Sequence, residues 1–331
     1  MSDIRQGDPK GMVDILESPP LISAQELEPD AFSSARKVAR KRLVSEGLLA
    51  GRNSTVSSYF GGTYFSYEQA IFLDAALAQA DETSELCRDT IVAATLSVAS
   101  SIVNTVGKQF AQPLRAKTKS GEIKGGFANA VLRDRGENAS EIFKVWISAY
   151  SKLKSTEFPH RALRSDYREA LNTLGSEFSV VYADPPYTRD HYSRFYHVLE
   201  TMCLRDNPSI SVMRKAGMSI PSRGLYREDR HQSPFCIKSE APKAFADLFS
   251  LAGRHNLPIV LSYSPHERGD GTHPRVVSSS DILKIAKQHY RSVEITMIDG
   301  STHNKLNRSD LELSTRQHAE MILTCSRARS F

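Results

Sequence analysis

The chain has 331 residues, 40% of them hydrophobic and 24% charged, with a formal net charge of +5. These proportions are those of a globular protein and exclude a disordered or fibrous chain. No apolar run approaches the roughly 18–20 residues needed to cross a bilayer, and residues 1–20 lack a basic-then-apolar leader pattern, so a cytoplasmic location is the expectation. Cys87, Cys203, Cys236 and Cys325 stand far apart with no CxxC pair, which suggests neither a zinc site nor a disulfide framework.

In chain order, residues 1–29 read as a polar lead-in broken by Pro19, Pro20 and Pro29. Asp30 is placed to cap a helix running to Glu46, with Gly47 as its stop, and that helix carries Arg36, Lys37, Arg40, Lys41 and Arg42. Residues 66–81 and 86–106 read as helices, the second apolar enough to be buried. Residues 107–126 read as a basic loop, followed by a helix over 139–153 that holds the single tryptophan, Trp146. Between residues 101 and 165 twelve Lys and Arg stand against five acids, an electrostatic footprint suited either to a phosphate backbone or to a solvated face.

From residue 160 the pattern changes to alternation. A short strand is expected over 161–164, a helix over 167–174, strands over 178–183, 258–263, 292–298 and 319–325, and helices over 192–205, 242–255 and 281–289. Alternating apolar strand-like runs and helices imply an α/β sheet.

The apolar run Phe178–Ala183 ends in Asp184-Pro185-Pro186-Tyr187. In an open α/β sheet, ligands bind outside the carboxyl ends of the strands. Two consecutive prolines fix φ and withhold two N–H donors, leaving a stiff corner whose carbonyls remain acceptors. A carboxylate, a free carbonyl and an aromatic ring so arranged suit an exocyclic amine on a planar base. The Asp184 carboxylate and the Pro185 carbonyl can accept from the NH₂ and push its nitrogen toward sp³ character, while Tyr187 stacks on a base flipped from the duplex. The bland reading of the same residues is a proline-stiffened turn after a core strand.

The stretch Val181–Tyr187 resembles motif IV of S-adenosylmethionine-dependent adenine-N6 DNA methyltransferases. Residues Tyr192–Thr201, Tyr226–Phe235 and Leu257–Pro265 are similar to the alpha group of that family, which includes the DNA adenine methylases. The Asp at 184 favours adenine over cytosine, where Ser-Pro-Pro-Tyr is more typical. Tyr59–Ala70 looks like the element that follows the family's cofactor motifs. The resemblance implies a partial Rossmann-like α/β methyltransferase sheet with a helical, basic target-recognition insertion. It divides the chain into an N-terminal extension (1–56), a helical DNA-recognition region (57–160) and a catalytic region (161–331). It implies S-adenosyl-L-methionine as cofactor, with Asp166, Tyr167 and Asp184 as its contacts, and Asp184, Pro185, Pro186 and Tyr187 as the catalytic loop. Double-stranded DNA is the implied partner, with Lys117, Lys119, Lys124, Arg189, Arg194, Arg227 and Arg230 as candidate contacts and Arg223 as a further flanking cation. No metal is implied. Ser262 and Tyr263 are placed to line the pocket, and His197 and Glu200, three apart on one helix, suit either base orientation or helix packing.

The family's Phe-x-Gly-x-Gly loop and following acidic residue are expected before Tyr59, and residues 1–58 contain neither. Phe60-Gly61-Gly62-Thr63 follows a Ser-rich loop instead of an apolar strand. Three readings stand: a split enzyme whose second subunit carries the glycine-rich cofactor loop, a catalytically silent DNA-recognition relative, or a divergent N-terminus. The split enzyme is favoured because the Asp184–Tyr187 tetrapeptide is intact.

Overall fold

The computed structural model describes residues 54–114, 120, 127–154, 157–189, 191–215, 217–222, 224–265, 275–299 and 318–329. The expected helix over 30–46 lies outside these residues, as do Lys117, Lys119, Lys124 and Arg223.

The elements are α1 (Thr55–Tyr59), α2 (Tyr67–Asp81), α3 (Glu85–Ile102), α4 (Phe127–Gly136), α5 (Ala139–Tyr150), α6 (Tyr167–Leu174), β1 (Val181–Ala183), α7 (Ser193–Leu204), β2 (Val212–Lys215), β3 (Met218–Pro221), α8 (Ala241–Arg254), β4 (Ile259–Tyr263), α9 (Ser279–His289), β5 (Tyr290–Asp299) and β6 (His318–Ala328). The protein is therefore mixed α/β, as its alternating pattern indicates. Residues 161–164 form no strand, in contrast to expectation. Helix α4 and the β2–β3 hairpin were not legible in the sequence. The hairpin turns where Gly217 adopts φ 79°, a conformation cheap only for glycine.

By its contacts the chain divides into two compact units, Met1–Ser155 with Ser193–Arg230, and Thr156–Tyr192 with His231–Phe331. The expected division into 57–160 and 161–331 differs from this at 193–230. The cause is α7, whose His197, Val198 and Met202 are fully buried and whose apolar residues join the helical core of the first unit.

The first unit is built on α2, α3 and α5. Ser66 and Gln69 form a reciprocal capping box at the start of α2, each side chain bonded to the other's backbone N–H at 3.0 Å, which satisfies two otherwise orphaned donors. The Gln69 amide also donates to the Asp134 and Glu137 carbonyls, tying α2 to the end of α4. Helix α1 has no cap of its own. The buried Asp74 of α2 accepts from the Val56 and Ser57 N–H groups at 2.8 Å and from the Ser57 hydroxyl, and burial pushes its pKa up to about 6. Phe60, Tyr64, Phe65, Leu73, Leu77, Ile102 and Met202 fill this core.

The second unit carries a four-stranded sheet in the order β1-β4-β6-β5. Strand β1 runs parallel to β4, with Val181 opposite Ile259 and Ala183 opposite Leu261. Strand β6 is antiparallel to both β4 and β5. Ile259, Leu261 and Tyr263 of β4 are fully buried, against Phe245, Leu248 and Phe249 of α8, Ile282 and Ala286 of α9, and Met321, Leu323 and Cys325 of β6. At about 25 cal/mol per Å² of buried apolar surface, this cluster is the main cohesive force of the unit. At Gly175, just after α6, a Cβ would lie 2.6 Å from the His255 ring, which would have to shift to admit a side chain.

Candidate active site

The tetrapeptide Asp184–Tyr187 leaves the carboxyl end of β1, next to the carboxyl end of its parallel neighbour β4. That edge is where an open α/β sheet presents ligands. Within the loop, Pro185 is buried, Pro186 and Tyr187 are half-buried, and Asp184 is exposed. The proline thus anchors the corner while the carboxylate projects to solvent. A buried proline also removes the unsatisfied N–H that any other residue would bring there.

Tyr187 is fixed from several directions. Its carbonyl accepts from the Val276 N–H at 3.1 Å, and Thr188 forms an isolated antiparallel bridge with Arg275. Its ring meets Tyr263 edge to face, 5.7 Å between centroids at 72°. Tyr263 is itself fully buried and donates its hydroxyl to the Val277 carbonyl at 2.7 Å. The Arg275 guanidinium lies 4.5 Å from the Tyr187 ring centroid. Burial, then the carboxylate of Glu320, raises the Tyr187 pKa, with Arg275 opposing; the phenol stays protonated at neutral pH. Tyr263 therefore underlies the loop as a core residue, whereas the Ser262 hydroxyl is turned to Glu320 at 3.4 Å.

Of the residues expected to hold the cofactor, Asp166 is the N-cap of α6, accepting from the Arg168 N–H at 2.9 Å, with Arg168 Nη1 3.7 Å from its other oxygen. Tyr167 packs on Phe235 and donates its hydroxyl to the Ala244 carbonyl at 3.2 Å; burial raises its pKa to about 12. Asp184 stands open among the three.

A cavity of about 700 Å³ lies a few residues along the chain from the loop, lined by Arg189, His191, Gln232, Cys236, Ile237, Lys238 and Ser239. Arg189 is exposed there. Lys238 and His191 join it in a wall with no acidic residue, and neither drew notice in the sequence because their companions lie forty residues apart.

In the first unit, Arg194 and Arg230 flank Tyr226, their guanidinium carbons 5.4 and 5.1 Å from its ring centroid. Burial and then the neighbouring Arg194 charge lower the Arg230 pKa. Two like charges held on one aromatic ring make a natural seat for an anion. Arg227, grouped with them in the sequence reading, is different. It is 2% exposed and bonded to Asp206 at 2.7 and 2.8 Å and to Asp229 at 3.0 and 3.1 Å. These carboxylates raise its pKa and make it a structural ion-pair centre, with no face left for a phosphate.

His197 resolves to packing. It is fully buried, with Nε2 3.1 Å from the Phe110 carbonyl and 3.4 Å from the Tyr64 hydroxyl. Burial pulls its pKa down to about 3, so the ring is neutral. Glu200 reaches Arg227 at 4.0 Å. Part of the basic excess of residues 101–165 is likewise structural: Lys108 and Arg133 hold the buried Asp134 at 2.9 and 3.0 Å. Among the described residues no group of three or more His, Cys, Asp or Glu is placed to hold a metal, and no helix is long and apolar enough to cross a membrane.

No family model and no solved structure matches this chain. It is 38% identical over 100 residues to the modification methylase LlaI of Lactococcus lactis subsp. lactis. It is 35% identical over 101 residues to the Type II methyltransferase M.FokI of Planomicrobium okeanokoites. Each match spans 30% of this chain and 14% of the relative, so the chain spans about a seventh of the length of these curated relatives. Over that stretch, the chain is similar to two methyltransferases.

Proposed function

We propose that this chain is the catalytic and DNA-recognition subunit of a site-specific DNA adenine-N6 methyltransferase, acting with a second subunit that carries the glycine-rich cofactor loop. The observation that carries the reading is the Asp184–Tyr187 corner, an exposed carboxylate and a braced aromatic ring at the carboxyl edge of a parallel strand pair. Similarity to two named methyltransferases supports it.

In this reading the adenine is flipped from the duplex and stacks on Tyr187, a contact worth roughly 1–3 kcal/mol. The Asp184 carboxylate and the Pro185 carbonyl accept from its exocyclic amine, which localises the nitrogen lone pair and aims it. S-adenosyl-L-methionine, when bound, supplies the methyl group. Because the diproline corner is fixed beforehand, little conformational freedom is lost in holding this geometry. Arg189, Arg194 and Arg230 grip phosphates, which sets register rather than sequence.

Two observations support a partner. The sequence shows no glycine-rich cofactor loop before Tyr59. In addition, β1 pairs only with β4 among the described residues, and Phe178, Val180 and Tyr182 are more than half exposed. An open strand edge and an exposed apolar face both call for a partner to cover them.

Two measurements test this. Nucleoside analysis of DNA from cells expressing the chain with its neighbouring reading frames should show N6-methyladenine, and Asp184→Ala should abolish it while DNA binding persists. Persistence of the modified base in that variant would place the chemistry elsewhere and leave this chain a silent recognition subunit. Calorimetry on the full chain alone addresses the partner: tight S-adenosylmethionine binding without a second protein sinks the split arrangement.

A further inference from the structure

We infer that Arg275 is a positioning residue for the substrate base, acting through Tyr187; this rests on the reading of Tyr187 as the stacking ring. Three observations converge on it. The Arg275 guanidinium covers one face of the Tyr187 ring at 4.5 Å. Its Nη2 donates to the hydroxyl of Ser264, a buried residue at the end of β4. Its backbone bridges Thr188, and the next residue, Val276, donates to the Tyr187 carbonyl. Arg275 thus ties the ring and backbone of the loop's last residue to the end of the neighbouring strand.

The chemistry of the site makes this more than packing. Among the described residues no carboxylate lies within ion-pairing distance of Arg275, and its Nε is buried without a hydrogen-bond partner. Burial lowers the Arg275 pKa, and the neighbouring Tyr187 and Tyr263, the charge of Glu320 and the bond to Ser264 offset it, so the π face of Tyr187 is one of the few groups that compensate this partly buried cation. A guanidinium stacks flat on an aromatic ring where an ammonium does not. A nucleobase stacking on Tyr187 would take the face opposite Arg275. The cation also draws ring density toward itself, which favours stacking of an electron-rich purine on the opposite side. Base, tyrosine and guanidinium then form three layers whose order is set before the base arrives.

The experiment is a double-mutant cycle on the full chain with Arg275→Gln, Arg275→Lys and Tyr187→Ala. One readout is fluorescence of a single-stranded dodecamer carrying one 2-aminopurine; the other is the urea midpoint without nucleic acid. Wild type should change the 2-aminopurine signal. Arg275→Gln should weaken binding about 3- to 30-fold, and Arg275→Lys should recover part of the loss, since it keeps the charge but not the planar fork. In the Tyr187→Ala background, Arg275→Gln should have no further effect. An equal loss in both backgrounds would show Arg275 acting on the nucleic acid directly and overturn the inference. Additive urea midpoints would show that the two side chains are not coupled in the free protein, which overturns it too. A coupled urea cycle with no 2-aminopurine response from wild type would instead refute Tyr187 as a base-stacking ring, and the positioning role with it.

Discussion

Strands β1 and β4 lie side by side in one parallel pair, yet they live in different environments. In β4 the residues Ile259, Leu261 and Tyr263 are fully buried. In β1 the middle residue, Tyr182, is 65% exposed, and Val180 just before it is 51% exposed. Both runs are apolar in sequence, so hydrophobicity alone does not distinguish them. The difference is mainly one of face: Ile259 and Leu261 share the α8- and α9-packed face with the half-buried Val181 and Ala183, whereas Tyr182 points with the half-buried Val260 to the opposite face; β1 also has one strand neighbour among the described residues. The candidate catalytic loop leaves the less covered strand, and its Tyr187 leans on the fully covered one through Tyr263.

The sharpest way to break this comparison is to truncate each strand in turn. Tyr263→Ala removes a buried ring and its bond to the Val277 carbonyl, and should lower unfolding free energy by about 3–5 kcal/mol. Tyr182→Ser should change it by no more than about 0.5 kcal/mol while abolishing cofactor binding by the assembled enzyme. If Tyr182→Ser unfolds the isolated chain, this face of β1 is already covered and the exposed-face reading fails.

A second contrast lies between two arginines of one loop. Arg227→Ala leaves the Asp206 and Asp229 carboxylates without their cation and should cost about 2–4 kcal/mol of stability in urea titrations. Arg230→Ala should stay within about 1 kcal/mol. Its effect should appear instead as weaker DNA binding, with the salt dependence of log K flatter by about one. Equal stability losses for the two variants would erase the distinction between the structural and phosphate-facing cations.

The smallest expected effect is in pH. His197 is held neutral in the folded protein, with a pKa of about 3 against an ordinary 6.5. The unfolded chain therefore binds a proton first as pH falls. Stability is full above 6.5 and is lost below it by about 1.4 kcal/mol per unit. Asp74 runs the other way: its folded pKa of about 6 lies above the ordinary 3.8, so the folded protein takes the proton first and gains stability from pH 6 down to 3.8. The two offset each other across that window. Urea midpoints should fall between pH 6.5 and 6 and then level, and Asp74→Asn should turn the plateau into a continuous decline. An unchanged profile in that variant would show that Asp74 is not the compensating group.

Much of this architecture is written locally. Residues 66–81 read as a helix, a short apolar run marks β4, and the diproline after an apolar run marks the loop, because helical period, strand composition and proline geometry are properties of a few adjacent residues. Helix α4 and the short β2–β3 pair carried no such pattern, since Leu132, Val212 and Met213 are exposed and leave no apolar face to read. The loop residues Asp184–Tyr187 were legible for the same local reason, whereas Arg275 was not. It follows Tyr187 by eighty-eight positions and gains meaning only where Thr188 bridges to it.

The amino-acid sequence by itself determined the stiff acidic-aromatic corner and the strand that leads into it, because backbone constraint and side-chain chemistry there are intrinsic to four consecutive residues. Only the tertiary structure decided which cations remain available and which are consumed. Arg194, Arg227 and Arg230 are alike as letters, and what separates them is whether a carboxylate or an aromatic face lies within about 3–5 Å, a matter of long-range packing.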